Sequence, residues 1–372
     1  MYAQSLRLGR ILGIPFGVNY SWFIIFLLIT LSLTTQYSHL HPSWSSAGHV
    51  VFGIVTSLLF FGSVLLHELG HSVLALKYNI PVRSITLFIF GGIAQIGKEP
   101  EKPAHEFKIA IAGPVVSAFL ALLFYGLVFI AEDSSEAVAA LGEWLGRINL
   151  SLALFNLLPG FPLDGGRVLR SILWKYTGSY ERSTKIAAGA GNIVAYGFIG
   201  IGVWQALTGN FFGGLWIGFI GWFLLSAAQS TTLQIKFRSA LKGVTAADVM
   251  TRECLQLPGN ISVAELVEHH LLKSGARCAM VMDGERFRGL VTLHEVKKVS
   301  RDDWPLTPLQ AVMVPETELA HVSPSTPVEI VLQKMNEQDI SQIPVIDRGQ
   351  LLGIIRRDRL LALVQTRLEL KA

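Results

Sequence analysis

Charge is scarce in this chain. Only 16% of its 372 residues are Asp, Glu, Lys or Arg, while 51% are hydrophobic and the mean hydropathy is +0.46. Soluble globular proteins carry about 25% charged residues, so an ordinary soluble fold is excluded for at least part of the chain. Cysteine is scarcer still: Cys254 and Cys278 are the two present, which excludes a disulfide framework and suits buried thiols in a cytosolic setting. The first 20 residues lack the apolar core and small-residue cleavage site of a secretory signal, so the N-terminus is expected to be retained. There is no nucleic-acid-binding motif. The formal net charge of +4 is small and points to membrane orientation, with no nucleic acid as partner.

Long apolar runs fill the chain up to about residue 233, and the ordinary alternation of charged and apolar residues follows. A membrane domain over 1–238 is therefore expected ahead of a soluble part. Six runs approach the length that a bilayer's hydrocarbon core demands, at about 20–35, 50–76, 107–130, 138–158, 186–207 and 212–233. Gly113-Pro114 in the third reads as a tolerated kink. Residues 5–19, broken by Pro15 and Gly17, read as a short strand or interfacial segment. The run 80–96 is β-branched, aromatic and punctuated by Gly91-Gly92, and reads as a hairpin entering the membrane from one side. Arg7 and Arg10, then Lys77, Arg83, Lys98, Lys102 and Lys108, then Arg167 to Lys185, then Lys236, Arg238 and Lys242 fall on one face, and the opposite loops carry no Lys or Arg. By the positive-inside rule that face, with both termini, is cytoplasmic.

The second apolar run contains His67, Glu68 and His71. Residues i and i+4 of a helix face the same way, so the two imidazoles can grip one metal ion with Glu68 beside them as a base. Titratable side chains at membrane depth are costly unless they face a cavity, a partner or a metal, which makes chemistry the default explanation. A catalytic zinc takes three protein ligands and keeps a fourth place open. Asp164 is the best third ligand, because the prolines and glycines of Pro159-Gly160-Phe161-Pro162-Leu163-Asp164-Gly165-Gly166 must break the fourth run and let it turn inward. The competing reading pairs Asp164 with Arg167 or makes it a helix cap. His105, His269, His270, His294 and His321 have no partner at metal spacing, and His39 and His41, in an outer loop, are assigned nothing.

The soluble part is an internal duplication. Val249-Met250 recurs as Val312-Met313, Ser262-Val263 aligns roughly with Thr326-Pro327, and Gly289-Leu290-Val291 with Gly353-Ile354-Ile355. Each copy reads as helix, two strands and helix, with Met250 and Met313 as core residues at matching helix starts. The copies, 239–305 and 306–372, resemble a tandem cystathionine β-synthase (CBS) domain pair, a module that often senses adenine nucleotides. That pattern places a Ser or Thr for phosphate and an Asp for ribose after the glycine. Here the first copy keeps Thr292 but has Glu295, and the second has Arg356 and Arg359. Adenine nucleotide is therefore an uncertain ligand, with Thr292 and Arg356 as its candidate contacts; a structural or dimerising role competes.

His67-Glu68-Leu69-Gly70-His71, the hairpin with Gly91-Gly92, and Asn156-Leu157-Leu158-Pro159 through Asp164-Gly165-Gly166 resemble the three marks of the site-2 protease family, the intramembrane zinc metalloproteases. The six-span layout and the C-terminal repeats resemble the branch that carries a CBS pair. The fold class implied is a polytopic α-helical membrane domain with six transmembrane helices and a membrane-entering β-hairpin, followed by a soluble α/β CBS pair. The resemblance implies one zinc per chain on His67, His71 and Asp164, Glu68 as general base, and substrate contacts at Asn156, Gly91 and Gly92. It implies regulated intramembrane proteolysis of a transmembrane substrate, in bacteria commonly a membrane-held transcription regulator. Asn156 can equally satisfy carbonyls freed at the helix break, and the hairpin can bind an unwound substrate as an added strand or merely plug the cavity. The setting implied is a bacterial or archaeal cell membrane, with homodimerisation through the CBS pair. Competing classes are a CBS-regulated membrane transporter and a non-cleaving scaffold; the conjunction of the histidine motif with the Asp164 stretch separates the protease from both.

Overall fold

The computed structural model describes residues 5–131, 133–251, 255–274, 276, 278–284, 286–348 and 350–370, so Cys254 lies outside the described residues. The chain divides into two units, Met1–Leu233 and Gln234–Ala372. The first unit opens with strands β1 (Ser5–Ile11) and β2 (Ile14–Asn19), then helices α1 (Tyr20–Leu40) and α2 (Ser46–Lys77). Strands β3 (Val82–Phe88) and β4 (Gly91–Ile96) follow, then α3 (Pro103–Ala131), α4 (Glu136–Asn156), α5 (Asp164–Thr177), α6 (Tyr180–Leu207) and α7 (Phe211–Leu241).

Six of these helices are long and apolar enough to cross a membrane: α1, α2, α3, α4, α6 and the Phe211–Leu233 part of α7. Their outward faces carry Leu122, Phe129, Ile130, Ile193, Leu207 and Phe212, all exposed, as lipid contact requires and water would penalise. Side chains that start helices are polar: Asn19 accepts the backbone N–H of Ser21, Ser45 that of Gly48, and Ser179 that of Arg182, satisfying donors left over at a helix N-terminus. α3 continues through Pro114.

Several features depart from the sequence reading. Residues 5–19 form two strands, and the chain turns at Leu12 and Gly13, both with positive φ. Pro15 and Gly17 lie inside β2 rather than breaking it; a Cβ on Gly17 would sit 2.5 Å from the Leu6 carbonyl oxygen, so glycine lets β1 approach. β2 then pairs in parallel with β3, and the expected hairpin β3–β4 becomes the outer half of a four-stranded sheet ordered β1-β2-β3-β4. The basic segment after Asp164 is itself a helix, α5, of 14 residues, about 21 Å long and too short to span. Finally, α4 carries Glu143 and Arg147, an exposed i,i+4 ion pair inside the fourth apolar run.

In the second unit, β5 (Gln256–Pro258), β6 (Cys278–Asp283), β7 (Arg286–Thr292) and β8 (Val314–Pro315) form one sheet, and β9 (Gln342–Asp347) pairs with β10 (Gln350–Arg356). The duplication is visible in the two hairpins: β6–β7 and β9–β10 are both antiparallel with one irregularity near the tip. Each repeat's first short helix packs into the core of the other. Ala246 and Val249 lie with Val328, Val331 and Ile355, while Leu309 lies with Val263, Val281 and Val291. Met250 and Met313 follow these helices as C-caps instead of starting them, and both touch core clusters as expected of packing residues. The apolar pattern revealed the repeat but not this exchange, because exchanged and unexchanged helices bury the same side chains. Cys278 is half-buried.

Candidate metal centre

α2 delivers His67 and His71 one turn apart, both almost completely buried, with ring centroids 4.9 Å apart. α3 orients them. The Nδ1 of His71 lies 2.7 Å from the Ile109 carbonyl oxygen, which can only accept, so that nitrogen carries the proton and the Nε2 lone pair faces inward. His67 Nδ1 is 2.9 Å from Ser117 Oγ. Both Nε2 atoms converge on Asp164 Oδ2, at 3.2 Å from His67 and 3.1 Å from His71, and lie 3.2 Å from each other. Arg167 Nε stands 4.0 Å from Glu106, and the N-cap place of α5 is taken by Leu163, with Asp164 the first helical residue.

The donor set fits zinc. Two imidazole nitrogens and a carboxylate oxygen are ligands zinc takes at about 2.0–2.1 Å, and a tetrahedron of that size has edges of about 3.3 Å, close to the triangle observed. His67, His71 and Asp164 form the one cluster of potential metal ligands found among the described residues. Gly113 of α3 leaves room beside them, since a Cβ there would lie 2.6 Å from His67 Nε2 and closer still to His71 Nε2.

The remaining candidates surround this cluster unevenly. Glu68, next to His67 on α2, is half-buried. β4 runs across it so closely that a Cβ on Gly92 would stand 2.5 Å from Glu68 Cγ, and the Ala94 backbone N–H donates to the Glu68 carboxylate. Gly91 has φ +125, a conformation side chains resist. β4 is the last strand in the sheet order. The hairpin tip is held from two sides, by Ser21 Oγ accepting from Ile89 N–H and by Phe90 stacking on Phe223 of α7 with centroids 4.3 Å apart. Asn156 ends α4 and donates from Nδ2 to the Leu152 carbonyl at 3.0 Å.

Two polar features of the site went unread in the sequence. Ser117 stands 50 positions from His67, and a serine in an apolar run carries no signal of its target. Glu106, in the first turn of α3, is fully buried and paired with Arg170; in sequence it precedes the third apolar run and sits between Lys102 and Lys108, as an ordinary helix-start carboxylate would. The histidines set aside take ordinary places: His41 Nδ1 meets Glu136 at 2.7 Å and His105 stacks on Tyr78.

In the CBS unit the two candidate nucleotide contacts are already engaged. Thr292 and Glu295 form a reciprocal capping box at a helix start. Arg356 donates from Nε to Asp358 Oδ1 at 3.1 Å, and this pairing holds the Asp358 carboxyl below the usual carboxylate range.

Comparison with known proteins adds a lineage. The profile of peptidase family M50 matches residues 55–137 and 126–198, and that of the CBS domain matches 246–302 and 311–366. A protein of Synechocystis sp. named as a zinc metalloprotease, sll0528, is 35% identical over 98% of this chain and 96% of its own length. The zinc metalloprotease MJ0392 of Methanocaldococcus jannaschii is 30% identical over 99% of both chains. Among solved structures, a site-2 protease from M. jannaschii is 32% identical, covering 61% of this chain and 95% of its own, with a TM-score of 0.42.

Proposed function

The chain belongs to peptidase family M50 and is an intramembrane zinc metalloprotease of the site-2 protease type with a CBS domain pair; on that premise we propose the roles of its residues. His67, His71 and Asp164 hold the zinc, and the observation that carries this is the convergence of two Nε2 atoms and one carboxylate oxygen within 3.2 Å of one another. Zinc in such a site supplies Lewis acidity to the scissile carbonyl and the attacking water. Glu68 takes the proton from that water and delivers it to the leaving nitrogen. Ser117 and the Ile109 carbonyl keep the imidazoles aimed, and Gly113 keeps the centre open.

A helical substrate hides its backbone in its own hydrogen bonds, so its scissile segment must unwind. β4 supports strand addition as the way this is done: it is terminal in its sheet and passes beside Glu68. The backbone of Gly91 and Gly92 then lies against the substrate, with Asn156 at the end of α4 as a further contact for a substrate carbonyl through Oδ1. The basic loops support an orientation with both termini and the CBS pair in the cytoplasm. We assign 1–238 to proteolysis and the two repeats, 239–305 and 306–372, to regulation and dimerisation. Zinc content and cleavage of a single-span test substrate, measured on wild type and Glu68→Gln, test the central reading. Glu68→Gln is expected to keep zinc and lose at least 100-fold in rate. Equal cleavage by the two proteins would refute the role of Glu68, and wild type without zinc would refute the centre.

A further inference from the structure

Asp164 reaches the histidines from the first residue of α5, and the first turn of α5 has little to hold it by side chains. Gly165 and Gly166 follow, and both pack backbone against backbone: a Cβ on Gly165 would strike the Leu157 and Leu158 carbonyl oxygens, and one on Gly166 would strike Gly160. The register of α5 must be set further along. Arg170, six residues on, is 7% exposed, and its Nε donates at 2.8 Å to Oε1 of Glu106 on α3, which its Nη2 also reaches. The guanidinium lies 4.8 Å from the ring centre of Phe161, three residues before Asp164, and 4.6 Å from that of Tyr180 at the start of α6.

Glu106 is on the same face of α3 as the groups that orient the histidines. Ile109, Gly113 and Ser117 follow it at +3, +7 and +11, one stripe of a helix, and all are buried. The distances match. From Glu106 to Gly113 is seven residues, about 10.5 Å of rise, and from Asp164 to Arg170 is six, about 9 Å. The ion pair joins α3 and α5 at one end, and at the other Gly113 and Asp164 both reach the Nε2 atoms of His67 and His71. We infer that Arg170 and Glu106 are positioning residues for the metal centre: their pair sets the register of α5 on α3 and so delivers Asp164 to His67 and His71. The inference rests on the reading of Asp164 as a zinc ligand.

A pair retained for fold stability alone does not explain this arrangement. Buried ion pairs are costly to desolvate, and replacing both partners by neutral groups of similar size is often without loss of stability. The pair here also leaves Glu106 Oε2 buried with no hydrogen-bond partner among the described residues, so the carboxylate is not there for saturation of its own bonds.

The test uses the full chain in detergent micelles, with zinc affinity measured by chelator competition and coordination read from the d–d absorption band of the cobalt-substituted protein. The double variant Glu106→Gln with Arg170→Met removes both charges and keeps the volume. It is expected to unfold within a few degrees of wild type yet bind zinc about 10- to 100-fold more weakly, with a shifted cobalt band. Arg170→Lys keeps the charge and loses the fork, and is expected to fall between. Wild-type affinity and band in the double variant would overturn the inference; if that variant does not fold, the same result in Arg170→Lys does so. Asp164→Ala separates the two levels: zinc retained there refutes the ligand reading itself, while zinc lost there and kept in the charge-free variant refutes only the positioning role.

Discussion

Gly113 illustrates how much of the centre rests on an atom that is not there. Alanine is the better helix former by about 1 kcal/mol, so on propensity alone Gly113→Ala would stabilise α3. Its Cβ would instead stand 2.6 Å from His67 Nε2 and nearer to His71 Nε2, inside the space a metal needs. Gly113→Ala is therefore expected to lose most of its zinc and to cleave at under a hundredth of the wild-type rate, and because both buried rings must shift to admit the methyl, thermal unfolding of the metal-free protein is expected to fall despite the better helix propensity. Metal analysis and calorimetry on the purified variant check this. His67, Glu68 and His71 were legible in the sequence because one helical period relates them. Gly113, Ser117 and the Ile109 carbonyl were not, because their meaning depends on which face of α3 meets α2.

Elements carry the substrate side of the problem. β4 crosses Glu68 only because Gly92 has no side chain, and the tip of its hairpin is held by Ser21 and by Phe223. In Gly92→Ala the new Cβ, 2.5 Å from Glu68 Cγ, must push strand and carboxylate apart. We expect at least a tenfold fall in cleavage of a single-span substrate with zinc content unchanged; undiminished cleavage would count against β4 as the substrate's neighbour. The hairpin itself was legible from β-branched residues around a glycine pair. Its place in a four-stranded sheet was not, because Pro15 and Gly17 read locally as breakers while tertiary pairing makes them strand residues. α5 escaped for a related reason: Gly165-Gly166 at its start are poor helix formers, and only their close packing against the backbone of residues 157–161 shows why they are needed.

For the whole molecule, an apolar exterior marks the first unit and paired repeats mark the second, joining a membrane protease to a CBS domain pair. Thr292 is committed to its capping box with Glu295, and Arg356 to Asp358. Isothermal titration of the full chain with ATP, ADP and AMP is therefore expected to show no binding heat, and a saturable isotherm with any of them would overturn this. Sequence by itself determined the membrane character, the number of spans, the zinc motif and the duplication, because each depends on composition or on a short period along one chain. Tertiary structure decided which distant groups meet. It brought Asp164 to His67 and His71 across 97 and 93 positions, set Gly92 over Glu68, and exchanged the short helices of the two repeats. These follow from packing between faces, and a face that is apolar in sequence does not say which neighbour will cover it.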